Sequence, residues 1–133
     1  MTRKVRILAR IVFILYIVTV AWLCFGQFGS MPDVRRSYWG IPTDKIVHFL
    51  MFFPFPPLAY LAIGRSPDRF RTAFLWSAAI FLTGCLFAAL TEIIQAKLLP
   101  YRMGDFADLK ADLIALGSSS ILVLAFVLWK LRK

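Results

Sequence analysis

The chain has seven acidic residues among its 133. Four of them, Glu92, Asp105, Asp108 and Asp112, fall in one stretch, residues 91–112, together with Arg102. Apolar runs flank that stretch on both sides, and ionised groups beside hydrocarbon are costly, so their clustering marks a functional site. Spacing sorts the candidates. Asp44 and His48 are four residues apart and share a helix face, with Lys45 about 100° round from Asp44. Glu92 and Gln95 are three apart and also share a face. Asp105, Asp108 and Asp112 fall within about 60° of one another at helical spacing.

Three chemistries suit these residue types. Lys45 and Arg102 can clamp an anionic headgroup, carboxylate or phosphate, with Arg102 contributing a bidentate contact. Carboxylates can hold a divalent cation through oxygen; the candidates are Glu92, Asp105 and Asp108, with Asp44 beside them. His48, Asp44 and Glu92 are the candidates for proton transfer, the imidazole being oriented by the Asp44 carboxylate. Against all three stands mutual neutralisation and helix capping. Lys45, Lys97 and Lys110 suit that plainer role as cations snorkelling to an interface.

The elements that must position these groups are membrane helices. Sixty per cent of the residues are hydrophobic, against about 45–50% in an ordinary soluble domain. Mean hydropathy is +0.74. The apolar residues gather in runs of about 20, the length that crosses a hydrocarbon core of about 30 Å. The patterning predicts one all-α domain over residues 1–133, with spans at about 7–28, 44–63, 72–94 and 113–131. Thr43 reads as the N-cap of the second span and Asp44 suits its positive start. Pro54, Pro56 and Pro57 kink that span, with Phe52, Phe53 and Phe55 packed around the bend. Gly84, the Ala88-Ala89 pair and Gly117-Ser118-Ser119-Ser120 allow close helix approach. Tyr38 and Trp39 are placed as interfacial anchors. The first run is too long for a signal-peptide core and no Ala-x-Ala-like cleavage site follows it, so it reads as an uncleaved helix. Cys24 and Cys85 each lie inside an apolar run and read as core residues.

Net charge is +9. No basic stripe on a soluble domain accompanies it, which excludes a nucleic-acid partner. The cations instead mark topology. Arg3, Lys4, Arg6, Arg10, Arg65, Arg69, Arg71, Lys130, Arg132 and Lys133 fall on one side of the four spans. Arg35, Arg36, Lys45, Lys97, Arg102 and Lys110 fall on the other. The positive-inside rule puts both termini in the cytoplasm. Only Asp68 joins the cytoplasmic cations; Asp33 and Asp44 join the four clustered acids outside. A polar pocket at the outer interface follows.

Asp44-Lys45-Ile46-Val47-His48-Phe49 resembles the Asp-Lys-x-x-His-Phe signature of VanZ-like membrane proteins. Glu92-x-x-Gln95, Pro100-x-Arg102, Asp105-x-x-Asp108 and Gly117 are similar to that family's second signature, in the same order. The resemblance covers roughly residues 40 to 120. Asp112 stands where the family typically has Asn, which replaces an amide donor by a carboxylate in the pocket. The resemblance implies a small multi-pass protein of the bacterial cytoplasmic membrane, and the family's namesake is associated with teicoplanin resistance. The function read from the chain is an accessory, non-enzymatic one: the pocket binds a lipid or cell-wall precursor headgroup and contributes to glycopeptide resistance. The alternatives are a metal-dependent membrane enzyme acting on a phosphorylated lipid, and an accessory subunit of an envelope complex. No cofactor follows from the sequence. Membrane lipids are the partners it implies.

Overall fold

The structure is a computed structural model that describes residues 2–26, 37–38, 40–98 and 105–133. Arg102, with Pro100 and Gly104, lies outside the described residues, as do Arg35, Arg36 and Trp39. Helix α1 (Arg3–Phe25) is followed by two-residue strands β1 (Ser37–Tyr38) and β2 (Ile41–Pro42). Then come α2 (Thr43–Phe52), α3 (Phe55–Ile63), α4 (Phe70–Leu98) and α5 (Phe106–Leu131). Four spans, α1, α2–α3 together, α4 and α5, are long and apolar enough to cross a membrane. The chain is an all-α membrane bundle.

Several helix ends lie beyond the apolar runs, while α1 stops at Phe25, short of the expected Phe28, where Gly26 turns to extended backbone. The basic head is helical from Arg3, because the Thr2 hydroxyl accepts the Val5 N–H at 3.4 Å and caps the first turn. α4 runs on to Leu98, beyond the expected end near Ile94, so Gln95 and Lys97 are helical. α5 starts seven residues before Leu113. Its N-cap is Asp105, whose Oδ1 accepts the Ala107 N–H at 2.8 Å. A carboxylate at a helix start meets both an orphan N–H and the positive dipole end. Thr43 is the first residue of α2 rather than its cap; Pro42 holds the cap position without a side-chain bond. β1 and β2 pair antiparallel, Ser37 with Pro42 and Tyr38 with Ile41, where the sequence suggests only a loop. Gly40, at φ +79°, supplies the left-handed residue their tight connection needs.

The prolines divide the second span. α2 closes with the Phe53 N–H on the Phe49 carbonyl at 3.0 Å, and α3 opens with the Leu58 N–H on the Pro54 carbonyl at 3.1 Å. Pro56 and Pro57 sit in the first turn of α3, where a missing N–H costs little. The Tyr16 hydroxyl donates to the Met51 carbonyl at 2.5 Å and serves a backbone acceptor at the break. Phe52 and Phe55 are buried there, with their ring centroids 5.6 and 6.2 Å from that of Phe87. The break is packed with aromatic rings.

The core joins Val20 and Cys24 of α1 to Phe52, Phe55, Ile80, Ala88, Ala115 and Leu116. α4 packs tightly against α5 and α3 at Gly84. A Cβ there would stand 2.6 Å from Leu116 Cδ2 and 3.1 Å from the Phe55 ring. Gly117 makes no such approach, its nearest neighbour being Phe81 at 3.8 Å. Leu82, Leu86, Ile121 and Leu122 face outward, as side chains turned to lipid would. Among the described residues no disulfide forms; Cys24 is buried and Cys85 half-buried.

Candidate functional site

Two polar bonds fix the ends of the bundle. Arg10 Nε donates to the Ala62 carbonyl at 3.1 Å, tying the start of α1 to the end of α3. Gln95 Nε2 donates to the Cys24 carbonyl at 2.8 Å, tying the end of α4 to the end of α1. The starts of α2 and α5 lie at that second end, and the two helices run parallel. Lys45 meets Asp105 and Asp108 while His48, one turn on, meets Asp112. A residue spacing of three to four on each helix therefore carries the contacts inward by one turn.

Lys45 is the ionic centre of the outer part. Its Nζ donates to Asp44 Oδ2 at 2.9 Å, to Asp105 Oδ2 at 2.5 Å and to Asp108 Oδ1. Three carboxylates use all three donors of the ammonium. Lys45 is thus mostly buried rather than snorkelling, with 17% of its side chain exposed. Its ammonium, with the Ala107 N–H second, holds the Asp105 carboxyl below the usual carboxylate range.

Deeper in, His48 Nδ1 lies 3.1 Å from Asp112 Oδ1, and Asp112 is fully buried. His48 Nε2 faces Asp108 Oδ2 at 3.7 Å, too far for a hydrogen bond. Asp108 thus turns one oxygen to Lys45 and the other toward His48. Glu92 approaches from α4. Its Oε2 accepts the Asp105 N–H at 3.1 Å, which ties the start of α5 to α4. Its Oε1 is buried with no hydrogen-bond partner among the described residues. One ligand atom each from His48, Glu92 and Asp108 lies within 4.8 Å of the other two. Asp44, Asp105 and Asp108 form a second such group, the one that encloses Lys45.

The sequence candidates therefore separate. Asp44, Lys45, His48, Glu92, Asp105, Asp108 and Asp112 converge on one end of the bundle. Gln95 is at the same level but bonds to α1. The carboxylate that orients His48 is Asp112, where spacing alone suggests Asp44. Glu92 and Asp108 group with His48, while the Asp105 side chain turns to Lys45 and to its own helix cap. Beside the cluster, an open groove of about 410 Å³ runs between α2 and α5. Ile41, Ile46, Phe49, Leu50, Ala107, Ala111 and Ile114 line it, with Lys45 and Lys110. Lys110 is exposed and forms no ion pair with a described residue. The groove falls within the size range of ligand pockets, about 300–1,000 Å³. Sequence reading missed it because its walls come from two helices some 60 residues apart. Compared with family models, curated proteins and solved structures, the chain gives no match.

Proposed function

We propose that the chain is a VanZ-like protein of the bacterial cytoplasmic membrane. Its polar end faces outward and binds the headgroup of an anionic amphiphile, either a phosphorylated lipid or a lipid-linked cell-wall precursor. The observation that carries this reading is the apolar groove between α2 and α5, bordered by Lys110 and lying against the charged cluster. An acyl or polyprenyl chain fits the apolar walls, and its phosphate meets the Lys110 ammonium. Lys45 is already held by three carboxylates and serves to build the site rather than to clamp the anion. Occupying precursor headgroups at the outer face is a route to lowered glycopeptide action.

The test is binding of dioleoylphosphatidate and dioleoylphosphatidylcholine to the detergent-purified protein by native mass spectrometry. Preference for the phosphatidate is expected. Lys110→Ala should reduce that preference tenfold or more, since a charge-assisted bond contributes about 1.5–3 kcal/mol. Leu50→Trp should reduce binding of both lipids by filling the groove. Equal binding of the two lipids, unaffected by either substitution, would sink the reading.

A second reading, a membrane enzyme acting on a phosphorylated lipid, is favoured by the buried His48–Asp112 pair. An imidazole oriented by a carboxylate is equipped to move a proton. Release of phosphate or of the headgroup from the bound lipid, lost in Asp112→Ala, would select it over simple binding.

A further inference from the structure

The pair of oxygens on Asp108 divides the cluster into two cation sites, and among the described residues only the outer one receives a positive side chain. In the outer group Lys45 supplies the positive charge to Asp44, Asp105 and Asp108. In the inner group Glu92 and Asp108 face His48, and no lysine or arginine among the described residues enters it. Glu92 is 93% buried by its 7% exposure, yet Oε1 has no hydrogen-bond partner among the described residues. A buried carboxylate oxygen without a donor is unfavourable, and a cation held against it would relieve that cost.

We propose that His48 Nε2, the Glu92 carboxylate and Asp108 Oδ2 bind one divalent transition-metal ion of the zinc type. Three features support it. The 3.7 Å separation of Nε2 and Oδ2 is too long for a hydrogen bond. It is close to the spacing of two ligands on one zinc, roughly 3.3–3.5 Å for bonds of about 2.0–2.1 Å in a tetrahedral arrangement. In the neutral imidazole that donates Nδ1–H to the Asp112 carboxylate, the lone pair stands on Nε2, facing Asp108; a carboxylate behind a histidine is the usual support for a metal-bound imidazole. The Asp105 N–H holds Glu92 Oε2 and leaves Oε1 for the metal. One nitrogen and two carboxylates suit zinc or manganese better than calcium, which takes six to eight oxygens. Three protein ligands leave a coordination position open for water or a phosphate oxygen. The inference rests on the headgroup reading for its biological use, since a metal here would join that phosphate to the protein. The ion-binding claim stands apart from it.

The experiment is titration of the chelator-stripped protein in detergent, without lipid, first with Zn²⁺ by calorimetry and then with Co²⁺ by visible absorption. One equivalent of Zn²⁺ and visible bands from nitrogen- and oxygen-bound Co²⁺ are expected. Glu92→Gln, Asp108→Asn and His48→Gln should each weaken Zn²⁺ binding at least tenfold. Asp112→Asn should weaken it about 10–100-fold as a positioning residue. Asp68→Asn, in the exposed loop between α3 and α4, should bind like wild type. Helical circular dichroism and gel-filtration position identify variants that fail to fold. If all four do, the midpoint of wild-type thermal unfolding decides: a rise with Zn²⁺ and none with Ca²⁺ supports the site, and no rise overturns it. Lack of saturable uptake by wild type, or equal binding by the folded site variants, also overturns it. Phosphatidate binding without Zn²⁺ uptake would remove this inference alone. Zn²⁺ uptake without a phosphatidate preference would remove the headgroup reading and leave the metal site.

Discussion

Asp112 shows how much one buried oxygen pair controls. It is fully buried and pairs with His48 Nδ1, so its removal leaves a buried imidazole nitrogen without that partner. Asp112→Ala should destabilise the protein by about 1–3 kcal/mol. Asp112→Asn keeps an acceptor and nearly the same shape, so its cost should be under about 1.5 kcal/mol. Thermal unfolding in detergent ranks the two, and equal losses would mean that the His48 bond contributes little. The residue types of this site were legible in the sequence, and so was the shared face of Asp105, Asp108 and Asp112. Their partners were not. Asp44 looked like the partner of His48 because spacing within a helix is readable, whereas the true partner is 64 residues away. Lys45 looked like an interfacial cation because nothing local reveals that three carboxylates close around it. Glu92 and Asp108 were legible as metal candidates; the geometry puts His48 with them where the sequence reading put Asp105.

At the scale of elements, apolar run length located all four spans, and prolines located the break between α2 and α3. It misplaced the ends, because polar first and last turns at a membrane boundary look like loop. α5 begins at Phe106 through an N-cap that hydropathy does not register. Small residues marked a packing face on α4 and another on α5; a Cβ at Gly84 would meet Leu116 of α5, whereas one at Gly117 would find only Phe81, at contact distance. Gly84→Val should cost about 1–3 kcal/mol, since the added atoms meet Leu116 and Phe55, both already buried. Gly117→Ala should be nearly neutral, its new methyl finding ordinary contact distance. Unfolding midpoints of the two variants make the comparison, and a reversed order would mean that Gly84 is not the tighter of the two positions.

Across the whole molecule, charge is divided between the ends. Arg3, Lys4, Arg6, Arg10, Arg65, Arg69, Arg71, Lys130, Arg132 and Lys133 gather at the end marked by the Arg10–Ala62 bond. The acid-rich cluster occupies the other. Positive-inside orientation therefore predicts that, in a variant without Cys24 and Cys85, a cysteine at position 66 is shielded from a membrane-impermeant maleimide in intact cells, while one at position 110 reacts. The opposite labelling pattern would turn the site toward the cytoplasm and end the cell-wall reading.

The parallel pairing of α2 with α5 also bears on how the protein is made. Lys45 reaches Asp105 and Asp108 across 60 and 63 residues, and His48 reaches Asp112 across 64. Chains emerge from the ribosome N-terminus first. The segment carrying Lys45 and His48 is therefore synthesised, and ready for insertion, while their acids are still untranslated. Until the final span arrives, Lys45 has only Asp44 beside it and must be kept near water. A chain that stops after Leu98 leaves Lys45 without Asp105 and Asp108, and His48 without Asp112. Such an unfinished product leaves polar groups unpaired that the completed bundle pairs.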